Sequence, residues 1–231
     1  MNIKQQILKK LMYSKGMSYN ALRDEVPSNK FTYHLNQLVE DDIIKKEDTI
    51  YTLTAEGTHL ISSIDGQEIA AKKKPIVCSF VLAYDGEKIL LNKRLKQPFY
   101  GYVGVPGGKI EFGSRIPEEA SRELLEETGL SAGKMELKQI VNYRTYDDDS
   151  KELMHQVIGF FFLATELKGE LKKIDREGEN FFLKPEDTKN HKMYPDIELY
   201  KDIILTTKQI IFKEADRFMK DGDFIGINIL D

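Results

Sequence analysis

Cysteine is almost absent from this 231-residue chain, with Cys78 alone, and tryptophan is missing altogether. A single cysteine excludes an internal disulfide and a cysteine-based zinc centre, so burial and hydrogen bonding have to hold the fold, as suits a reducing compartment. Cys78 stands in the apolar run Ile76-Val77-Cys78-Ser79-Phe80-Val81-Leu82, where an inert buried thiol is expected. Long apolar runs are lacking too: no stretch approaches the roughly 20 residues of a membrane span. Charges interrupt the opening segment Met1-Asn2-Ile3-Lys4-Gln5-Gln6-Ile7-Leu8-Lys9-Lys10-Leu11, so a secretory signal is not expected and the reading is a cytoplasmic protein. A net charge of -4 nominates no partner by itself. What is there, 41% hydrophobic and 31% charged residues, can bury real cores, and the length is comfortable for two domains.

The first of these is helical. Ile3, Ile7, Leu8 and Leu11 recur at helical spacing, and Ser18 can cap a short helix over Tyr19 to Glu25. After Pro27, a helix from Ser28 or Asn29 puts Phe31, Leu35 and Leu38 on one face and Lys30, Tyr33, Asn36 and Gln37 towards the other. Ile43-Ile44-Lys45-Lys46 and Thr49-Ile50-Tyr51-Thr52-Leu53 flank the polar turn Glu47-Asp48 as a hairpin, and a further helix runs to about Ser63. This order, with the strand-end run Tyr51-Thr52-Leu53-Thr54-Ala55-Glu56-Gly57, resembles a winged helix-turn-helix domain, expected over residues 1–70. The resemblance implies either DNA binding or a role in docking or homodimer formation. From Met1 to Ala71 eight bases stand against ten acids, a net of -2, with Lys30, Lys45 and Lys46 near the recognition helix and wing, so charge leaves both roles open. Ile64-Asp65-Gly66-Gln67 and Lys72-Lys73-Lys74 before Pro75 read as a solvated linker.

From Pro75 the texture is that of strands. Ile76 to Tyr84 and Lys88 to Lys93 flank Asp85-Gly86, a strong hairpin signal, and Gln139 to Tyr146, His155 to Glu166 and Asn180 to Leu183 are β-rich. Asp196 through Met219, with Leu199, Ile203, Ile204, Ile210, Ile211 and Phe218 available to pack, is expected as one long amphipathic helix. A mixed α/β sandwich over residues 75–220 results.

The stretch that carries chemistry is Pro106-Gly107-Gly108-Lys109-Ile110-Glu111-Phe112-Gly113-Ser114-Arg115-Ile116-Pro117-Glu118-Glu119-Ala120-Ser121-Arg122-Glu123-Leu124-Leu125-Glu126-Glu127-Thr128-Gly129-Leu130. Gly107, Gly108 and Gly113 make a loop that lets backbone approach a ligand closely. Pro117 and Gly129 bracket a helix in the expected order. On that helix Glu119, Glu123, Glu126 and Glu127 fall in one sector, while Ala120, Ser121, Leu124 and Thr128 fill the opposite side. Like charges four residues apart cost a few tenths of a kcal/mol each, roughly. Water and Arg122 offer one compensation; hard oxygen ligands converging beside a glycine loop suit Mg2+ or Mn2+ as another.

These residues resemble the box of the Nudix hydrolase family: Gly, five residues, Glu, seven residues, Arg-Glu-aliphatic, one residue, Glu-Glu, one residue, Gly-aliphatic. Gly108, Arg122, Glu123, Leu124, Glu126, Glu127, Gly129 and Leu130 match in register. Ser114 stands where the box carries its first Glu, with Glu111 three residues before it as a candidate substitute and Glu118 four after. The resemblance, over about residues 75–190, implies a Nudix α/β/α sandwich with a mixed sheet following the winged helix. It also implies Mg2+-dependent hydrolysis of a nucleoside diphosphate linked to another moiety. Glu123, Glu126 and Glu127 would be metal ligands, Glu123, Glu126 and Arg122 the catalytic set, and Gly107 and Gly108 cofactor-binding. Ser114 is expected to weaken activity or shift metal geometry. A distant Glu serves as general base in many such enzymes, and Glu177 and Glu179 are the candidates, each with a solvated surface role as the rival. The alternative is a transcription regulator whose Nudix module senses a nucleotide metabolite and whose winged helix binds DNA.

Overall fold

The computed structural model describes residues 2–62, 74–174, 178–205 and 209–230. The chain divides into two compact units, Met1–Lys73 and Lys74–Asp231. The linker residues 63–73 lie outside the described residues. No described helix is long and apolar enough to cross a membrane.

The first unit runs α1 (Ile3–Met12), β1 (Met17–Ser18), α2 (Tyr19–Arg23), α3 (Ser28–Glu40), β2 (Ile44–Glu47), β3 (Ile50–Leu53) and α4 (Ala55–Ser62). The Ser18 hydroxyl caps α2 as expected, and Asn2 and Gln5 form a capping box on α1. Ile7, Leu8, Leu11, Leu22, Phe31, Leu35, Leu38, Ile44 and Tyr51 form the core beneath a three-stranded sheet of order β1-β3-β2. The entry to α4 is tight. Ile43 presents its carbonyl oxygen to the Thr54 N–H and hydroxyl, both at 3.1 Å, and a Cβ on Gly57 would come within 1.9 Å of that same oxygen.

The second unit carries β4 (Ile76–Ala83), β5 (Ile89–Arg94), β6 (Val103–Gly104), β7 (Gly107–Lys109), α5 (Ile116–Thr128), β8 (Leu130–Asp147), β9 (Leu153–Gly169), β10 (Gly178–Leu183), a 3-10 helix (Pro185–Asn190), α6 (Glu198–Leu205), β11 (Ile211–Lys220) and β12 (Asp223–Leu230). Six strands form a mixed sheet of order β12-β11-β8-β9-β4-β7, with β4–β9 and β11–β8 parallel and the other pairs antiparallel; β10-β5-β6 form a smaller sheet. Strand alternation sorts two cores. Val81 and Ala83 face Ala120 and Leu124 of α5, with Leu90, Leu130, Phe162 and Ala164. Leu82 faces the other way, onto Leu199, Tyr200 and Ile203 of α6, with Leu91, Val141, Tyr143 and Phe161. The result is a helix on each side of a sheet.

Two departures from the sequence reading stand out. The long helix expected over Asp196–Met219 is a short α6 followed by strand β11, residues 206–208 lying outside the described ones. The apolar positions satisfy a helical period, but Ile211–Lys220 gains ladder hydrogen bonds on both sides, parallel to β8 and antiparallel to β12, and partners distant in sequence override local periodicity. The strands expected at Gln139–Tyr146 and His155–Glu166 are the second half of β8 and most of β9, a hairpin of 18- and 17-residue strands with an irregular register between Leu137 and Gln139. That break explains why strict alternation failed to mark the earlier half.

Gly57→Ala is expected to destabilise the first unit by about 3 kcal/mol, since its methyl group would drive into the Ile43 carbonyl, which is backbone. Hydrogen exchange of the Leu35 and Leu38 amides in the full chain checks this. Wild-type protection in the variant contradicts it.

Candidate functional site

Helix α5 is placed from both ends. Pro117 stands in its first turn and Gly129, at φ 76°, closes it in the left-handed region with its N–H on the Leu125 carbonyl at 2.8 Å. A further anchor comes from β10. Asn180, 2% exposed, donates to the carbonyls of Glu127 at 2.8 Å and Lys172 at 2.9 Å, while its oxygen accepts from Asn92 of β5 at 2.8 Å. One side-chain amide thus ties the last turn of α5 to the smaller sheet. Nothing in the sequence distinguished Asn180 from any strand residue, because its role depends on a pairing of β10 with β5 across almost ninety positions.

Between these anchors the acidic face is organised by Arg122. Its guanidinium donates to Glu119 Oε2 at 2.7 Å, Glu123 Oε1 at 2.8 Å and Glu126 Oε2 at 2.7 Å, and Glu111 Oε1 lies 4.0 Å away. Guanidinium forks suit this use, since several N–H donors lie in one plane. Surrounding carboxylates, Glu119 first, raise the Arg122 pKa against the cost of burial. Glu119 is held below the usual carboxylate range by Arg122 above all, against burial, with help from the Ser114 hydroxyl. Burial pushes the Glu123 carboxyl above that range, in spite of Arg122.

Gly108 lies directly under Glu123: a Cβ there would meet the Glu123 carboxylate at 2.6 Å. Gly107 donates its N–H to Glu127 Oε2 at 3.0 Å. These two glycines belong to strand β7, paired with Ser79 and Phe80 of β4, where a loop was expected. The backbone close approach expected of them is made to helix carboxylates in this structure. The turn with positive φ falls at Gly113, at 89°.

The structure therefore brings Arg122, Glu119, Glu123, Glu126, Glu127, Gly107 and Gly108 together. Glu111 is at the edge of the group. Among the described residues no set of three or more His, Cys, Asp and Glu side chains is arranged to hold a metal ion as the side chains stand, because Glu123 and Glu126 each turn an oxygen to Arg122 and Glu127 turns one to Gly107. Glu179 is exposed on β10, next to the inward-facing Asn180 and so on the other face of the strand; Glu177 lies outside the described residues. Cys78 is buried, its thiol pushed up to about 11 by burial, which matches an inert role. A cavity of about 540 Å³ opens beside the C-terminal half of α5, lined by Leu125, Glu126, Gly129, Glu170, Leu171 and Lys172.

Known proteins are similar over the same region. Residues 72–202 match the NUDIX domain family, and residues 2–64 match a domain of unknown function, DUF7347. Over 119 residues the chain is 34% identical to an ADP-ribose pyrophosphatase of Methanocaldococcus jannaschii, covering 48% of this chain and 68% of that protein. It is 29% identical over 119 residues to an uncharacterized Nudix hydrolase of Bacillus subtilis, covering 52% and 72% respectively. Among solved structures, the mutator MutT protein from Bacillus halodurans matches with a TM-score of 0.55 at 25% identity, covering 67% of this chain and 97% of that one.

Asn180→Leu is expected to lower the stability of the second unit by about 3 kcal/mol, since it strands a half-buried Asn92 amide and the Glu127 and Lys172 carbonyls while keeping the volume. Urea unfolding followed by tyrosine fluorescence measures it, and a loss below about 1 kcal/mol would show that water replaces the amide at no cost.

Proposed function

The chain belongs to the Nudix family and is a Nudix pyrophosphohydrolase; from that premise we propose that it cleaves a nucleoside diphosphate linked to another moiety with the help of Mg2+ or Mn2+. The observation that carries the reading is the acidic face of α5, where Glu119, Glu123 and Glu126 share one guanidinium and Glu127 stands on the neighbouring strand's backbone. More carboxylate than cationic charge, on hard oxygen donors, fits a small divalent cation. Glu123, Glu126 and Glu127 would hold it, Arg122 would orient the first two, and Gly107 and Gly108 would keep the β7 backbone close. A bound ion there supplies charge neutralisation of the diphosphate and a lowered pKa for an attacking water. The similarity to an ADP-ribose pyrophosphatase supports ADP-ribose as the first substrate to try.

Incubation with Mg2+ and a panel of ADP-ribose, NADH, diadenosine polyphosphates and oxidised nucleoside triphosphates should yield turnover of at least one member, and Glu126→Gln should lose it by roughly a hundredfold or more. Equal turnover by wild type and Glu126→Gln would sink the assignment of α5.

A second reading concerns the first unit, which we infer to be a winged helix that binds DNA. The outward side of α3 leaves Lys30, Tyr33 and Asn36 exposed, and Lys45 and Lys46 are exposed on β2 of the hairpin. Such a reader, coupled to a nucleotide-sensing Nudix module, would make the protein a regulator as well. A gel-shift assay of the full chain at two salt concentrations should show binding that weakens as salt rises. Binding that is absent at low salt removes the regulator and leaves docking or dimerisation for the first unit.

A further inference from the structure

The carboxylates on Arg122 are not equivalent. Glu123 and Glu126 each give the guanidinium one oxygen. Glu119 gives both: its Oε2 accepts from a terminal nitrogen at 2.7 Å and its Oε1 faces the Nε–H at 3.4 Å. Its side chain is 6% exposed, against 14% for Glu123 and 59% for Glu126. From the preceding loop, Glu111 Oε1 lies 4.0 Å from the same guanidinium. Its oxygens are therefore committed to the protein itself, whereas those of Glu123 and Glu126 are half committed.

We propose that Glu119 is the positioning residue of this site: it locks the Arg122 guanidinium beside the loop that carries Glu111 and thereby aims Glu123 and Glu126. The aiming half of this proposal rests on the metal-ligand reading of those two residues; the locking half does not. The carboxylate missing at 114 is then provided from one turn further along the chain, at the start of α5. A guanidinium held by two bonds to one planar carboxylate has its plane fixed, and the remaining N–H groups then point in set directions. Arrangements that orient a ligand rather than contact the metal typically change metal affinity by about 10- to 100-fold when removed.

The test uses the full-length protein and two readouts. The Arg122 Nε–H resonance, assigned by its loss in Arg122→Lys, is expected to be slow to exchange with solvent in wild type. It should enter fast exchange in Glu119→Gln and return to slow exchange in the double variant Ser114→Glu, Glu119→Gln, which moves the carboxylate to the loop. Mn2+ affinity, measured by electron paramagnetic resonance on the same samples, is expected to fall about tenfold in Glu119→Gln and to recover in the double variant. A melting temperature close to wild type separates positioning from loss of fold. If Glu119→Gln does not fold, Glu119→Asp, one methylene too short for the fork, carries the test, with faster Nε–H exchange expected. An Nε–H signal that stays slow in the folded Glu119→Gln, or in Glu119→Asp, overturns the proposal. Wild-type protein that binds no Mn2+ sinks the metal reading instead, and the resonance still decides whether Glu119 locks Arg122.

Discussion

One guanidinium stands among three carboxylates on a single helix face, and the rest of the site is built around that fact. Glu119 and Glu123, four residues apart, repel by a few tenths of a kcal/mol, roughly, in an isolated helix, and burying either one enlarges the penalty. Arg122 lies on the same surface and reaches Glu119 behind it and Glu126 ahead of it. Because the fork is planar and its donors are fixed, it does more than neutralise: it dictates which oxygen of each carboxylate is turned inward.

Such a face can persist only if the helix is held by other means. The apolar side of α5 supplies part of this, with Ala120 and Leu124 fully buried against Val81, Ala83 and Phe162. The termini supply the rest through neutral contacts: Gly129 at the C-terminal cap and Asn180 on the Glu127 carbonyl. Charge repulsion is consequently absorbed by side-chain orientation, and the backbone of α5 stays put. The same logic explains the bare glycine at 108. With the helix fixed and Glu123 aimed down at β7, any side chain at 108 would occupy the space of the carboxylate.

Elements defined by local signals were legible in the sequence. The Ser18 cap, the apolar stripes of α1 and α3, the hairpin of β2 and β3, and the glycine and proline that bracket α5 all act within a few residues of where they stand; the strands expected to pair across Asp85-Gly86 instead part into different sheets, meeting only at a Tyr84–Ile89 bridge. The acidic face was legible for the same reason, being a property of one helix. What escaped depends on partners far along the chain. Ile211–Lys220 is a strand because β8 and β12 flank it, and its spacing of apolar residues serves a helix as well as a strand. Asn180 is indistinguishable from a surface asparagine until β10 is laid beside β5. Glu119 counted as one more member of the acidic set, since the contrast between one committed oxygen and two exists only in three dimensions.

That contrast also resolves an apparent conflict between the arginine and a metal as claimants for the same residues. If Arg122 took both oxygens of Glu123 and Glu126, holding a cation would require breaking the fork, and the freed guanidinium would then face the incoming charge. Instead Arg122 takes Oε1 of Glu123 and Oε2 of Glu126, while Glu119 satisfies it from the buried side. Each candidate ligand therefore keeps an oxygen that Arg122 does not use, at an orientation the fork has already set. Only Glu127 must exchange a partner, the Gly107 N–H, or share the oxygen that accepts it. Side chains whose orientation the fold has already set have less order to lose on binding a ligand, although the three carboxylates must still converge before they could hold an ion.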